Sequence, residues 1–114
     1  MKRTLMPCLV LTGVATLALV VMAEPAYLQM FRRIEKPPPR SQLDKARCLT
    51  CHVKSSGGRQ LNPYGLDFKK SGASEESLRN IRPLDSDSDG VTNMSEIAAG
   101  TLPGDPKSKP TKRD

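Results

Sequence analysis

Cys48-Leu49-Thr50-Cys51-His52 places two thiols a turn apart, with an imidazole directly after the second. This C-x-x-C-H spacing is that of covalent haem c attachment. Two thiols so separated reach the two vinyl groups on one edge of a porphyrin and close thioethers. The histidine then lies below the ring centre, where its Nε2 can ligate iron as the proximal ligand. Other chemistries of these residues need partners that the chain does not carry. A redox dithiol of the thioredoxin kind needs a βαβ frame. Tetrahedral zinc needs four ligands, and beyond the apolar N-terminal run only Cys48, Cys51 and His52 are thiol or imidazole donors. A disulfide between Cys48 and Cys51 would close a loop too small to stabilise much.

A second cluster implies a different metal. Asp85-Ser86-Asp87-Ser88-Asp89-Gly90-Val91-Thr92-Asn93-Met94-Ser95-Glu96 fits the twelve-residue calcium loop D-x-D-x-D-G-x5-E throughout. Asp85, Asp87 and Asp89 supply carboxylates at positions one, three and five. Gly90 allows the turn, Val91 offers its carbonyl, Asn93 stands at the ninth position, and Glu96 can bind bidentately at the last. Carboxylates packed this closely repel one another unless a hard cation sits among them. A solvated acidic loop is the competing reading. Signalling EF-hands come as helix-flanked pairs, whereas here Pro83 interrupts the entering side and no second loop follows. The expectation is a structural calcium site that rigidifies the chain, not a sensor.

His52 is the only histidine, so the chain by itself offers one haem and no bis-histidine ligation. It also leaves no distal histidine for peroxidase-like acid-base work. Met94 is the preferred sixth ligand, far enough beyond His52 for the chain to return over the ring. Met30, a lysine, Tyr64 or an open position are the alternatives. Met94 could equally be a helix residue that packs on the porphyrin face. Tyr64 is placed either to donate to a haem propionate or to pack against the ring edge.

The elements that must position these groups come from a chain of 114 residues, net charge +6, with Tyr27, Phe31, Tyr64 and Phe68 as its only aromatics. That is one small domain with little apolar volume, the kind of chain that needs a staple or a cofactor. Met1-Lys2-Arg3 followed by the uncharged run 4–23 reads as a signal peptide ending near Ala23, or as an uncleaved membrane anchor; Cys8 within it is a bland apolar residue. Both readings put the rest of the chain outside the cytoplasm. Residues 24–40 then comprise an amphipathic helix, with Tyr27, Met30, Phe31 and Ile34 on one side, and a stiff linker at Pro37-Pro38-Pro39. The haem-attachment segment spans 41–83, with helices expected after Ser41, from Pro63 to about Ser71, and from Ser74. The calcium loop and a C-terminal helix ending at Gly100 span 84–106. A disordered basic tail covers 107–114. Leu61, Tyr64, Leu66, Phe68, Leu78, Ile81, Leu84, Met94 and Ile97 are expected around the porphyrin, which would supply the missing core.

Taken together, Cys48 to His52, Leu61-Asn62-Pro63-Tyr64-Gly65, Leu84 to Glu96, and Ala99-Gly100-Thr101-Leu102-Pro103-Gly104-Asp105-Pro106 resemble a group of small exported bacterial monohaem cytochromes. That group joins a C-x-x-C-H segment to a thrombospondin type 3-like, EF-hand-like calcium repeat. The resemblance covers about residues 47–106 and implies haem on Cys48, Cys51 and His52, with calcium on Asp85, Asp87, Asp89, Asn93 and Glu96. Such repeats usually carry leucine at the position of Met94. The expected fold is mainly α, a small cytochrome c-like helical haem domain with an EF-hand-like calcium loop. The expected function is electron transport by a periplasmic, secreted or inner-membrane-anchored haem protein that is not an enzyme. A membrane-anchored haem subunit of a larger electron-transfer complex and a haem-based gas- or redox-sensing module are the rivals. Basic runs at Arg32-Arg33, 36–40 and 107–113 suit docking to an acidic redox partner or an anionic membrane surface, unless they are only solvated. Nucleic acid is not an expected partner.

Overall fold

The computed structural model describes residues 24–111. The signal peptide or anchor expected over 1–23, Cys8 included, lies outside the described residues, as does 112–114. The described chain is mainly helical, with five α-helices and no strand: α1 (Ala26–Glu35), α2 (Gln42–Ala46), α3 (Pro63–Lys70), α4 (Glu75–Asn80) and α5 (Asn93–Ala99). None of these helices is long and apolar enough to cross a membrane.

Each helix starts where a short polar side chain or a proline can manage its free amides. The Ser41 hydroxyl accepts from the Asp44 N–H to open α2, and Thr92 does the same for Ser95 at α5. Ser74 and Ser77 cap each other reciprocally at α4, with Glu75 and Glu76 in the first turn. α3 opens with Pro63 in its first turn, where the missing N–H costs nothing. α5 stops at Gly100, whose φ of 77° is left-handed.

α1 is not a helix on a separate linker. It packs against α4 and sends Phe31, 2 % exposed, into a core shared with Leu43, Tyr64, Phe68, Leu78, Ile81, Ile97 and Leu102. Leu28 and Phe31 are its buried residues, while Tyr27 stays exposed and meets the Phe68 ring edge-on. Glu35, its carboxylate almost wholly buried, accepts from Arg82 Nε at 3.1 Å, and Arg33 pairs with Glu75. After the prolines, the Leu43 N–H donates to the Gly100 carbonyl at 2.9 Å, which closes the spacer onto the end of α5. A side chain at Gly100 would meet Ser41 Cβ at 2.4 Å, so glycine answers both the turn and the contact.

Of the residues expected around a porphyrin, Tyr64, Phe68, Leu78, Ile81 and Ile97 belong to the buried core, and Leu66, Leu84 and Met94 are exposed. The tail expected to be disordered from Lys107 is held at Ser108, which is buried: its hydroxyl donates to Gln42 Oε1 at 2.8 Å and accepts from the Leu102 N–H at 2.9 Å. Two hydrogen bonds made by one buried hydroxyl outweigh the disorder that a polar composition favours.

Candidate cofactor and metal sites

The thiol–imidazole motif begins on a single 3-10 turn, Arg47–Thr50, with Cys51 as its C-cap and His52 just beyond. The Cys48 carbonyl accepts from the N–H of both Cys51 (3.2 Å) and His52 (2.8 Å), which folds the five residues onto themselves. The chain leaves and returns through an isolated antiparallel bridge between His52 and Leu61. Asn62 then ties the turn to α3. Its Oδ1 accepts from the Gly65 N–H at 2.9 Å, and its Nδ2 donates to the carbonyls of Leu49 (2.9 Å) and Thr50 (3.2 Å). A Cβ at Gly65 would lie 2.1 Å from the Cys51 carbonyl oxygen, and one at Gly104 would lie 2.5 Å from the Asn62 amide. The C-x-x-C-H turn, the Asn-Pro-Tyr-Gly segment and the Pro-Gly-Asp-Pro segment therefore meet at one buried side chain. Asn62→Ala is expected to cost about 2 to 3 kcal/mol, one helix cap plus two buried carbonyls left unpaired. Urea unfolding of the purified variant checks it, and a loss under about 1 kcal/mol would count against the hub.

Two adjoining cavities of about 100 and 260 Å³ flank the motif and share Tyr27, Cys51 and His52. Leu28, Phe31 and Cys48 line the smaller, and Leu61, Gly65 and Phe68 the larger. Both thiols are unpaired and half-buried. Burial, and then the neighbouring Cys48, push the Cys51 thiol up to about 12, so it stays protonated at neutral pH. A neutral thiol is a poor redox nucleophile. The imidazole is not an ordinary satisfied core histidine, because its buried Nδ1 has no hydrogen-bond partner. Apolar walls, two unpaired thiols and an unengaged imidazole fit a covalently held porphyrin.

The structure does not bring Met94 to this place. Its backbone N–H donates to the Arg82 carbonyl at 3.0 Å, its side chain is 55 % exposed, and it lines a separate groove with Glu35, Arg82 and Ile97. Met30 packs on the outside of the core and lines neither of these cavities nor the third at His52, of about 270 Å³ beside Leu49, Asn62 and Leu102. Met94→Leu is accordingly expected to leave the optical spectrum of the haem-loaded protein unchanged and to shift stability by less than about 0.5 kcal/mol. Tyr64 is fully buried, edge-on to Phe31 at 6.1 Å, with its hydroxyl unpartnered and its pKa raised chiefly by burial. It lines neither cavity and serves as a core residue.

In the acidic loop, Asp85, Asp87 and Asp89 bring carboxylate oxygens within 4.8 Å of one another. Left-handed Ser88 (φ 60°) and Gly90 (φ 92°) make the bend. Asp85 accepts from the N–H of Gly90 (2.7 Å) and of Asp89 (3.1 Å), which holds its carboxyl below the usual range. The Val91 N–H donates to Asp89 Oδ1 at 2.8 Å, fixing the residue whose carbonyl stands at the seventh position. Asp87 is pushed up to about 6 by burial and by Asp89, and Glu96 up to about 8 by burial and by all three aspartates. Asp87 Oδ2, Asp89 Oδ2 and Glu96 Oε2 are buried without partners. Raised carboxylates with orphaned oxygens fit a bound cation, which would satisfy both defects.

Asn93 is used differently from its assignment as the ninth ligand. It is fully buried, its Nδ2 donates to the Ile81 carbonyl and Ser86 Oγ (both 2.8 Å), and its Oδ1 accepts from the Ser86 N–H. Both ends of the amide are engaged, so Asn93 latches the loop. Ser86 Oγ donates on to Asp67 on α3 at 2.7 Å, and Lys109 Nζ to the Asp89 carbonyl at 2.6 Å. The sequence reading missed Asn62 as the hub and Tyr27 as a cavity wall. Asn before a proline at a helix start was the legible signal for the first; nothing local marks the second. No family model, curated protein or solved structure matches the chain.

Proposed function

We propose that the protein is an exported monohaem c-type cytochrome that carries electrons, its return segment braced by one calcium ion. The observation that carries this reading is the pair of adjoining apolar cavities in which Cys48, Cys51 and His52 lie together, both thiols unpaired. Cys48 and Cys51 would hold the haem and His52 its iron, and the bound group supplies reversible one-electron chemistry. Tyr27, Leu61 and Phe68 exclude water from that side of the motif, and Asn62 holds the turn that aims the imidazole. Asp85, Asp87, Asp89, Glu96 and the Val91 carbonyl would hold the calcium. The partner class is a redox protein, free or within a membrane complex.

Production with a c-type maturation system and export tests the reading. The expected product carries one covalent haem that survives acid extraction, and Cys48→Ser with Cys51→Ser abolishes it. A full-length protein that passes through that system without covalent haem would refute the proposal.

A second reading has one observation in its favour. Neither Met30 nor Met94 lines the cavities at His52, which suits an open sixth position and a gas- or redox-sensing module. Carbon monoxide added to the reduced protein separates the two: rapid stoichiometric binding supports sensing, and an unreactive six-coordinate iron supports simple electron transfer.

A further inference from the structure

We infer that the Tyr27 end of the helical body rests on an anionic lipid surface, with the uncharged run 4–23 held in that bilayer and the thiol–imidazole cavities beside it. The haem reading above supplies only what those cavities hold.

Residues 4–23 carry no charge and match the roughly 20 residues that cross a bilayer. α1 starts at Ala26, just three residues beyond that run, and three extended residues reach only about 10 Å. The junction is also tied to the helix. Glu24 pairs with Arg32 Nε at 3.2 Å, and its carbonyl accepts from Gln29 Nε2 at 2.6 Å. The Pro25 carbonyl accepts from the N–H groups of Leu28 and Gln29. A body joined without slack presents to the bilayer the end of α1 nearest the run.

That end carries the cavities. Pro25 and Tyr27 line the smaller together with Cys48, Cys51 and His52, and Tyr27 lines the larger as well. Pro25 and Ala26 are exposed, as are Tyr27 at 58 % and Val53, next to His52, at 50 %. Tyrosine is favoured at headgroup level, where its ring and its hydroxyl meet different media. Arg47 and Lys69 stand on the cavity walls, and Lys54 and Arg59 on the exposed loop that leaves His52. None of these four makes a side-chain hydrogen bond or ion pair among the described residues. Asp105, a carboxylate lining the third cavity at His52, accepts from the Lys107 N–H at 3.0 Å.

The opposite end of α1, about 15 Å away, differs in charge. There Glu35 and Lys36 meet Arg82, Met94 and Ile97, on the segment that carries Asp85, Asp87, Asp89 and Glu96. Four carboxylates leave that loop negative even around a divalent cation. An anionic surface therefore attracts the Tyr27 end and repels the loop.

The test uses the full-length haem-loaded protein in vesicles of phosphatidylcholine and phosphatidylglycerol, with a photoactivatable headgroup on a tracer lipid and adducts located by peptide mass. Adducts are expected on 24–28, on the loop 53–60 and on the end of α3 at 66–70, and not on 36–40 or on the segment of Met94. Lys54→Glu with Arg59→Glu should cut the yield on 66–70 at least about fivefold at low salt, the scale of one cation at such a surface, without lowering the melting temperature. Vesicles of phosphatidylcholine alone should lower it likewise, and Lys36→Glu should leave it unchanged.

Adducts on 24–28 alone would describe a body that merely hangs from its anchor, and would overturn the inference. Adducts on the Met94 segment, or cross-links between copies of the chain through Tyr27 in place of lipid, would overturn it equally. So would a natural protein whose mature chain begins at Glu24, because nothing would then hold that end to a bilayer. Failure to take covalent haem is a different result: it removes the reading of the cavities, while the lipid adducts still decide which end faces the membrane.

Discussion

Gly65→Ala is expected to destabilise the protein by more than about 3 kcal/mol, although local propensity says the opposite. Gly65 lies in the first half of α3, and alanine in a helix interior is better than glycine by about 1 kcal/mol. The tertiary contact reverses that sign. An added Cβ would stand 2.1 Å from the Cys51 carbonyl oxygen and 2.9 Å from its carbon, both backbone atoms of the thiol–imidazole turn. Neither can rotate away as a side chain could. Relief requires α3 to move off the turn, which pulls the Gly65 N–H from Asn62 Oδ1 and disturbs the Asn62 bonds to Leu49 and Thr50. A loss on that scale is a large share of a small domain's stability. Urea unfolding of the variant measures it, and a neutral or stabilising result would show that α3 does not sit against Cys51. Haem content should fall as well, because the turn that presents Cys51 and His52 is the group displaced.

Calcium and pH should act on stability through the same carboxylates. In chelator, stability is expected to fall as pH rises from about 5 to about 8. Glu96 and Asp87 have folded-state pKa values raised to about 8 and about 6, above those of the unfolded chain. Between the two values the native state binds more protons than the unfolded chain, so raising the pH favours unfolding. Asp85 is shifted downward and acts only below this window. The fully buried Glu96 alone makes the loss roughly 3 kcal/mol. Saturating calcium should flatten the slope, since a cation among the carboxylates favours their charged forms, and should add about 2.7 kcal/mol at a hundredfold excess over its dissociation constant.

Glu96→Gln divides the two effects. It should raise calcium-free stability at about pH 8, because a buried charge is gone, while removing most of the increment that calcium brings. Thermal unfolding with calcium and with chelator at both ends of the window is the measurement. Identical melting temperatures at about pH 8 with and without calcium would remove the ion from this account.

Most of the helix boundaries were legible because they are local chemistry. Ser41, Ser74 and Thr92 cap the helices that follow them, Pro63 sits in a first turn, and Gly100 takes the left-handed stop. Each of these depends on only a few consecutive residues. The two chemical motifs were legible for the same reason, since their spacing is carried by neighbours in the chain. Met94 shows where such reading stops. Periodicity places it on a helix, but which side of α5 meets the core depends on α1, α4 and the Arg82 carbonyl, all remote in sequence. Asn93 likewise has the right type and position for a ligand, yet its amide satisfies the Ile81 carbonyl and the Ser86 hydroxyl. Tyr27 and Phe31 read as one apolar face, but only Phe31 enters the core.

The chain's own order of residues therefore determined that two thiols and an imidazole share one turn, that four acidic side chains share one loop, and where the helices begin and end. Folding decided the rest. It set α1 and α3 beside the thiol–imidazole turn, put Arg47 and Lys69 on the walls of the resulting cavities, moved Met94 to another groove, and buried Ser108 of an otherwise polar tail. The division has a physical cause. Capping, turn geometry and ligand spacing are energies of adjacent residues. Burial and unpaired charge depend on whichever distant segment packs against a group, and here two distant segments, the turn at Leu49–Thr50 and the stretch at Gly104, converge on Asn62.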